Sequence, residues 1–125
     1  MIGDAVNLAS RVETLNMSIN AVLNVSRGMR CTGVLATHYH PDHVGGVLAL
    51  LDHARVPVYG PALEQIPGLT HPVGEDDVVS LPALDASLRV LDIPGHTAGH
   101  VGYYAEPALF CGDTLFAAGC GRIFE

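Results

Sequence analysis

The chain has 125 residues, room for one compact domain, and 49% of them are apolar, enough to bury a core and to exclude a disordered tail. A formal net charge of -7 argues against nucleic acid and against anionic membrane surfaces, since both would repel it. Three widely spaced cysteines, Cys31, Cys111 and Cys120, fit neither a disulfide framework nor a CxxC zinc site, and no run approaches the roughly 18 apolar residues of a membrane span. A soluble, unexported, cytoplasmic protein is expected.

Fourteen Gly and eight Pro are scattered rather than clustered, which suits many short elements joined by tight turns. Apolar residues recur at helical spacing over residues 4 to about 25, so one or two helices are expected there. Residues 33–39 read as a β-type run leading into Pro41-Asp42, a helix-start signal for the apolar stretch 44–54. Residues 56–59 read as a short strand that Pro57 puts near an edge. Further strands are expected over 77–81, 88–93, 100–105 and 109–111, with turn material at 82–86 and 106–107. The alternation of strand, loop and helix points to an α/β (α+β) fold.

The densest chemistry lies in Thr37-His38-Tyr39-His40-Pro41-Asp42-His43, where residues 38–43 hold four potential metal ligands. Alternate side chains of an extended segment share a face, so His38 and His40 are placed to grip one ion. Asp42 and His43, at the turn that follows, are placed to face a second. Imidazole and carboxylate without thiolate suit Zn, Mn or Fe. Two later segments, residues 94–100 (PGHTAGH) and 110–114 (FCGDT), each set a ligand type, His96 and Asp113, at a strand end, where α/β folds assemble their sites.

These three segments, HxHxDH, GHTxGH and Gly-Asp-Thr in this order, resemble the metallo-β-lactamase fold superfamily from about residue 31 to residue 125. The resemblance implies an αββα sandwich with two divalent metal ions, zinc ahead of iron or manganese. His38, His40 and His96 would hold one ion, Asp42 and His43 the other, and Asp113 would bridge them. Residues 112–125, GDTLFAAGCGRIFE, look like the corresponding segment of glyoxalase II, the hydroxyacylglutathione hydrolase that splits S-D-lactoylglutathione into D-lactate and glutathione. By that resemblance Arg122 contacts the glutathione moiety beside Phe124, which lacks the hydroxyl of the tyrosine often found there. The implied mechanism is hydrolysis by a metal-bridging hydroxide, with Asp42 orienting the attack.

Several alternatives stay open. A persulfide dioxygenase of the same superfamily uses one iron, but the residues after its Arg typically read Thr-Asp, unlike Ile123-Phe124-Glu125. Lactonases and other hydrolases of the fold remain, whereas β-lactamases are exported. In the family a last histidine ligand and a helical region follow the Gly-Asp-Thr segment. The chain therefore reads as one partial domain over 1–125, the N-terminal half of the sandwich, with 1–30 an atypical helical segment and 31–125 the metal-binding half. Uncovered apolar faces would favour self-association. The non-enzymatic reading is a fragment that binds metal without turnover.

The other residues read plainly. His53 and His71 are expected at the surface, and His100 as a hydrogen-bonding residue behind the ligands. Cys31 and Cys111 suit small core positions, and Cys120, between two glycines, a tight turn. Residues 2–13 are similar to a segment of class III nucleotidyl cyclases, with Asn7 and Arg11 one helical turn apart, and are read as an amphipathic helix without a catalytic role.

Overall fold

The computed structural model describes residues 30–116 and 119–123. The helix expected over 4–25 and the cyclase-like segment 2–13 lie outside the described residues. The elements are β1 (Val34–Leu35), α1 (Pro41–Val44), α2 (Val47–Leu51), β2 (Val58–Pro61), β3 (His71–Val73), β4 (Val78–Leu81), β5 (Ala86–Asp92), β6 (Val101–Ala105), β7 (Ala108–Phe110), β8 (Leu115–Phe116) and β9 (Gly119–Cys120). The parallel strands β1, β2 and β3 form one sheet, the antiparallel strands β4 to β7 a second in sequential order, and β8 and β9 a hairpin.

The layering follows from side-chain alternation in strands. Val34, Ala36 and Val58 face Val44, Val47 and Leu50 of the helices. Leu35, pointing the other way, joins Val79, Leu81, Leu88, Val90, Val101, Tyr103 and Phe110 of the second sheet. A helix layer therefore covers one sheet, which packs on another. Leu88 and Val90 are fully buried, and each buried aliphatic side chain contributes about 1.5–3 kcal/mol. The Tyr103 hydroxyl crosses between sheets to donate to the Ala36 carbonyl at 2.7 Å, and burial pushes its pKa up, so it stays a donor. The outer face of the second sheet leaves Val78, Tyr104 and Leu109 exposed.

Several elements differ from expectation for identifiable reasons. The run expected over 33–39 pairs as a strand only at Val34–Leu35. Ala36 still donates to the Tyr59 carbonyl at 2.8 Å, but the Thr37 carbonyl accepts from Val101, in the other sheet, at 2.9 Å. That change of partner lifts the chain out of the ladder just before His38. The expected helix over 44–54 is two short helices, because Gly45 and Gly46 interrupt it; a Cβ at Gly45 would stand 2.5 Å from the Pro41 carbonyl oxygen.

Pro57 does not mark an edge. β2 is the middle strand of its sheet, and Pro57 precedes its first residue, where its carbonyl accepts from Val34 at 2.9 Å and its missing N–H costs nothing. The proline of an edge strand is instead Pro72, in β3, which carried no periodic signal. β5 starts at Ala86, two residues before the expected strand, once a short 3-10 turn at Pro82–Leu84 has ended in left-handed Asp85 (φ 48°). Cys120 sits in β9 opposite Leu115 rather than in a tight turn.

Candidate metal centre

Three loops at strand ends bring together residues expected as ligands. The first follows β1 and carries His38, His40 and His43. The second lies between β5 and β6 and carries His96 and His100. The third follows β7 and carries Asp113. His38 is the hub: its ring centroid lies 4.3 Å from that of His43, 4.6 Å from His100, 4.8 Å from His40 and 4.9 Å from His96.

The hydrogen bonds dictate which nitrogens are left for a ligand. His38 is fully buried; its Nδ1 lies 3.0 Å from the Thr37 hydroxyl, and its Nε2 has no hydrogen-bond partner. His96 directs Nδ1 at the Arg122 carbonyl oxygen, 2.7 Å away, so that nitrogen carries the proton and Nε2 keeps a lone pair. His96 Nε2 faces His40 Nδ1 at 3.0 Å. Burial first, and then the neighbouring imidazoles His43, His100, His40 and His96, lower the pKa of His38 to about 2. Its ring is therefore neutral, the form that ligates metals.

Asp113 spans the rest of the cluster. Its Oδ2 lies 3.4 Å from His96 Nε2 and its Oδ1 3.2 Å from His43 Nε2. Its backbone N–H donates to His100 Nε2 at 3.3 Å, and the His100 ring stacks on His38 with an interplanar angle of 17°. His100 is fully buried behind the other histidines, and burial is the main cause lowering its pKa to about 4. Asp42 is more peripheral. Its side chain is 78% exposed, with Oδ2 at 3.6 Å from His43 Nε2. The Arg122 side chain is exposed, and Phe124 lies outside the described residues. His53 and His71 are exposed, and Cys31 packs against the helix-side core.

Two glycines are needed for the loops to meet. Gly112 has φ +49°, and a Cβ there would stand 2.5 Å from the Thr37 hydroxyl and 2.8 Å from His100 Cε1. A Cβ at Gly121 would overlap the Asp113 carbonyl oxygen and come within 3.2 Å of His96 Nδ1. The Gly-Cys-Gly-Arg segment thus closes over His96 with its backbone.

These residues fit a cation. His38, His40 and His96 each offer a ligand atom, and the three atoms lie within 4.8 Å of one another; the same holds for His38, His43 and Asp113. Nitrogens around a tetrahedral zinc ion, each at 2.0–2.1 Å, stand about 3.3 Å apart, close to the 3.0 Å between His40 and His96. An orphaned buried nitrogen such as His38 Nε2 costs about 1–3 kcal/mol unless a ligand meets it. Asp42 falls outside both groups.

The chain is similar to proteins of known kind. The hydroxyacylglutathione hydrolase of Nitrosomonas eutropha is 60% identical over 92 residues, covering 74% of this chain and 36% of its own length. Among solved structures, ETHE1 from Myxococcus xanthus superposes with a TM-score of 0.68 at 27% identity, over 82% of this chain and 44% of that one. TTHA1623 in a di-iron-bound form does so with a TM-score of 0.62 at 30% identity, over 82% and 59%. The chain thus spans little more than a third of the length of the Nitrosomonas relative. Residues 25–125, which contain every loop of the histidine cluster, match the Metallo-beta-lactamase superfamily, and the chain belongs to it.

Proposed function

We propose that this chain carries the metal-binding part of a thioester hydrolase of the glyoxalase II kind, acting on S-D-lactoylglutathione or a related glutathione thioester. The observation that supports it most is the convergence of His38, His40 and His96, with Asp113 reaching from His96 to His43. The likeness to a hydroxyacylglutathione hydrolase supports the choice of substrate. In this reading His38, His40 and His96 would hold a first divalent ion and His43 and Asp42 a second, with Asp113 shared between them. Zinc suits the donor set best, with iron or manganese also compatible. When bound, such ions polarise a thioester carbonyl and generate a nucleophile from water near neutral pH.

The residues of the chain do the rest. The Arg122 carbonyl holds the His96 ring in one tautomer, and the Thr37 hydroxyl steadies the orientation of the His38 ring. Asp42, exposed beside His43, would besides its ligand role orient the attacking water. Arg122, which is exposed, would pair through its guanidinium with a glutathione carboxylate. We place the protein in the cytoplasm, where glutathione conjugates form and where Cys31, Cys111 and Cys120 would stay as the free thiols they are here.

Thioester hydrolysis by the metal-loaded protein is the test, with S-D-lactoylglutathione and glutathione persulfide offered separately and oxygen uptake followed in parallel. Loss of the thioester without oxygen uptake is expected. Oxygen uptake with the persulfide and no thioester loss would replace this reading by the dioxygenase one. Metal uptake with neither reaction would leave a metal-binding fragment.

A further inference from the structure

Glu64 lies outside all three ligand motifs, three residues after β2, yet its carboxylate touches both histidine loops. Oε2 accepts the backbone N–H of Tyr39, between His38 and His40, at 2.7 Å. Oε1 accepts the backbone N–H of Gly99 at 3.1 Å and also the hydroxyl of Thr97, next to His96. Thr97 is fully buried. A Cβ at Gly99 would stand 2.6 Å from Glu64 Cγ and 3.1 Å from Leu63 Cβ. The glycine of Ala98-Gly99-His100 is therefore explained by the approach of this glutamate.

His40 and His96 are separated by 56 positions in the chain and lie in irregular backbone, so no sheet ladder sets their spacing. An ionised carboxylate has acceptors only, on two oxygens with about four lone-pair sites. It can receive donors from both loops at once, which an amide, with one acceptor end and one donor end, cannot. We propose that Glu64 is a positioning residue for the metal centre: its carboxylate ties the His38–His40 loop to the His96 loop, so that the imidazole nitrogens converge before an ion arrives. The proposal rests on the metal reading above and adds to it a residue from outside the ligand motifs.

The test is titration of the 125-residue chain with Co(II) alone. Affinity is read by competition with a chromophoric chelator and ligand geometry by the visible d–d bands, with far-UV circular dichroism of the metal-free chain as a check of fold. Glu64→Gln keeps the size of the side chain but turns an NH2 group toward one loop's donors. It should weaken the first Co(II) by about 10–100-fold, the range for residues that orient ligands, and alter the d–d bands while the dichroism stays parental. Thr97→Val should weaken it in the same direction, and Thr97→Ser, which keeps the hydroxyl, should restore parental binding.

If Glu64→Gln does not fold, the threonine pair decides. Loss in Thr97→Val with recovery in Thr97→Ser supports the clamp, and parental binding by Thr97→Val overturns it. Parental affinity and bands in folded Glu64→Gln overturn it as well. A parental chain that takes up no Co(II) removes the metal reading itself, and the clamp with it, which separates the two failures.

Discussion

The carbonyl oxygen of Arg122 accepts a hydrogen bond from His96 Nδ1 at 2.7 Å, while the Arg122 side chain stands exposed. One residue thus serves the cluster through its backbone and leaves its guanidinium for other work. Arg122→Ala keeps the carbonyl and removes the charge. Affinity for the first metal equivalent should change less than about twofold, while KM for a glutathione thioester rises, since a remote contact common to ground and transition states is lost. Chelator competition and steady-state kinetics on the same preparation check both halves, and a large loss of metal affinity would contradict the division of labour.

Gly121 and Gly112 should tolerate no side chain. A Cβ at Gly121 would overlap the Asp113 carbonyl, and one at Gly112 would crowd Thr37 and His100 from a left-handed backbone position. Overpacking of this kind typically costs about 1–3 kcal/mol. Gly121→Ala and Gly112→Ala should each lower the urea midpoint and weaken metal binding together. A parental midpoint for either would show that the loops have room to move apart.

The two metal groups should differ in strength. His38, His40 and His96 supply three imidazoles with short mutual distances, whereas a second ion at His43 and Asp113 would have to draw on Asp42, which is 78% exposed and outside both groups. Calorimetric titration with zinc should show a tight first equivalent and a weaker second. His96→Ala should abolish the first, and Asp42→Asn should affect only the second. Two equivalents of equal affinity, or loss of the tight site in Asp42→Asn, would contradict the assignment.

Stability of the metal-free chain should fall with acid. Burial lowers the pKa of His38 to about 2 and of His100 to about 4, against about 6.5 in an unfolded chain. Below about 6.5 the unfolded state takes up protons that the native state refuses, so stability rises with pH in that range. The contribution is fully present above about 6.5 and is lost progressively as pH falls toward 4 and below. Urea midpoints at pH 7.5, 6 and 4.5 should decrease in that order. A flat profile would mean that the two rings exchange protons with water more freely than their burial allows.

Residues beside each other in the chain made much of this legible. The alternation that buries Val79, Leu81, Leu88 and Val90 is a period of two that any strand must show. The spacing of His38, His40, His43, His96 and Asp113, in loops that follow apolar runs, pointed to one cluster of metal-ligand residue types without a structure. Pairing across the chain was not legible in that way. That β2 is the middle strand, that Ala36 pairs with one sheet and the next residue, Thr37, with the other, and that Pro72 rather than Pro57 lies in an edge strand depend on which sheet edge each segment meets.

The same holds at the cluster. Which nitrogen of His96 is left for a ligand is decided by the Arg122 carbonyl 26 positions away. The reach of Asp113 from His43 to His96, and the grip of Glu64 on Tyr39, Thr97 and Gly99, exist only once two sheets have packed and brought their strand-end loops together. Periodicity and ligand type are properties of a few neighbouring residues and can be read along a line. Hydrogen-bond partnership across the interior is a property of the packed volume, and only the tertiary structure decides it.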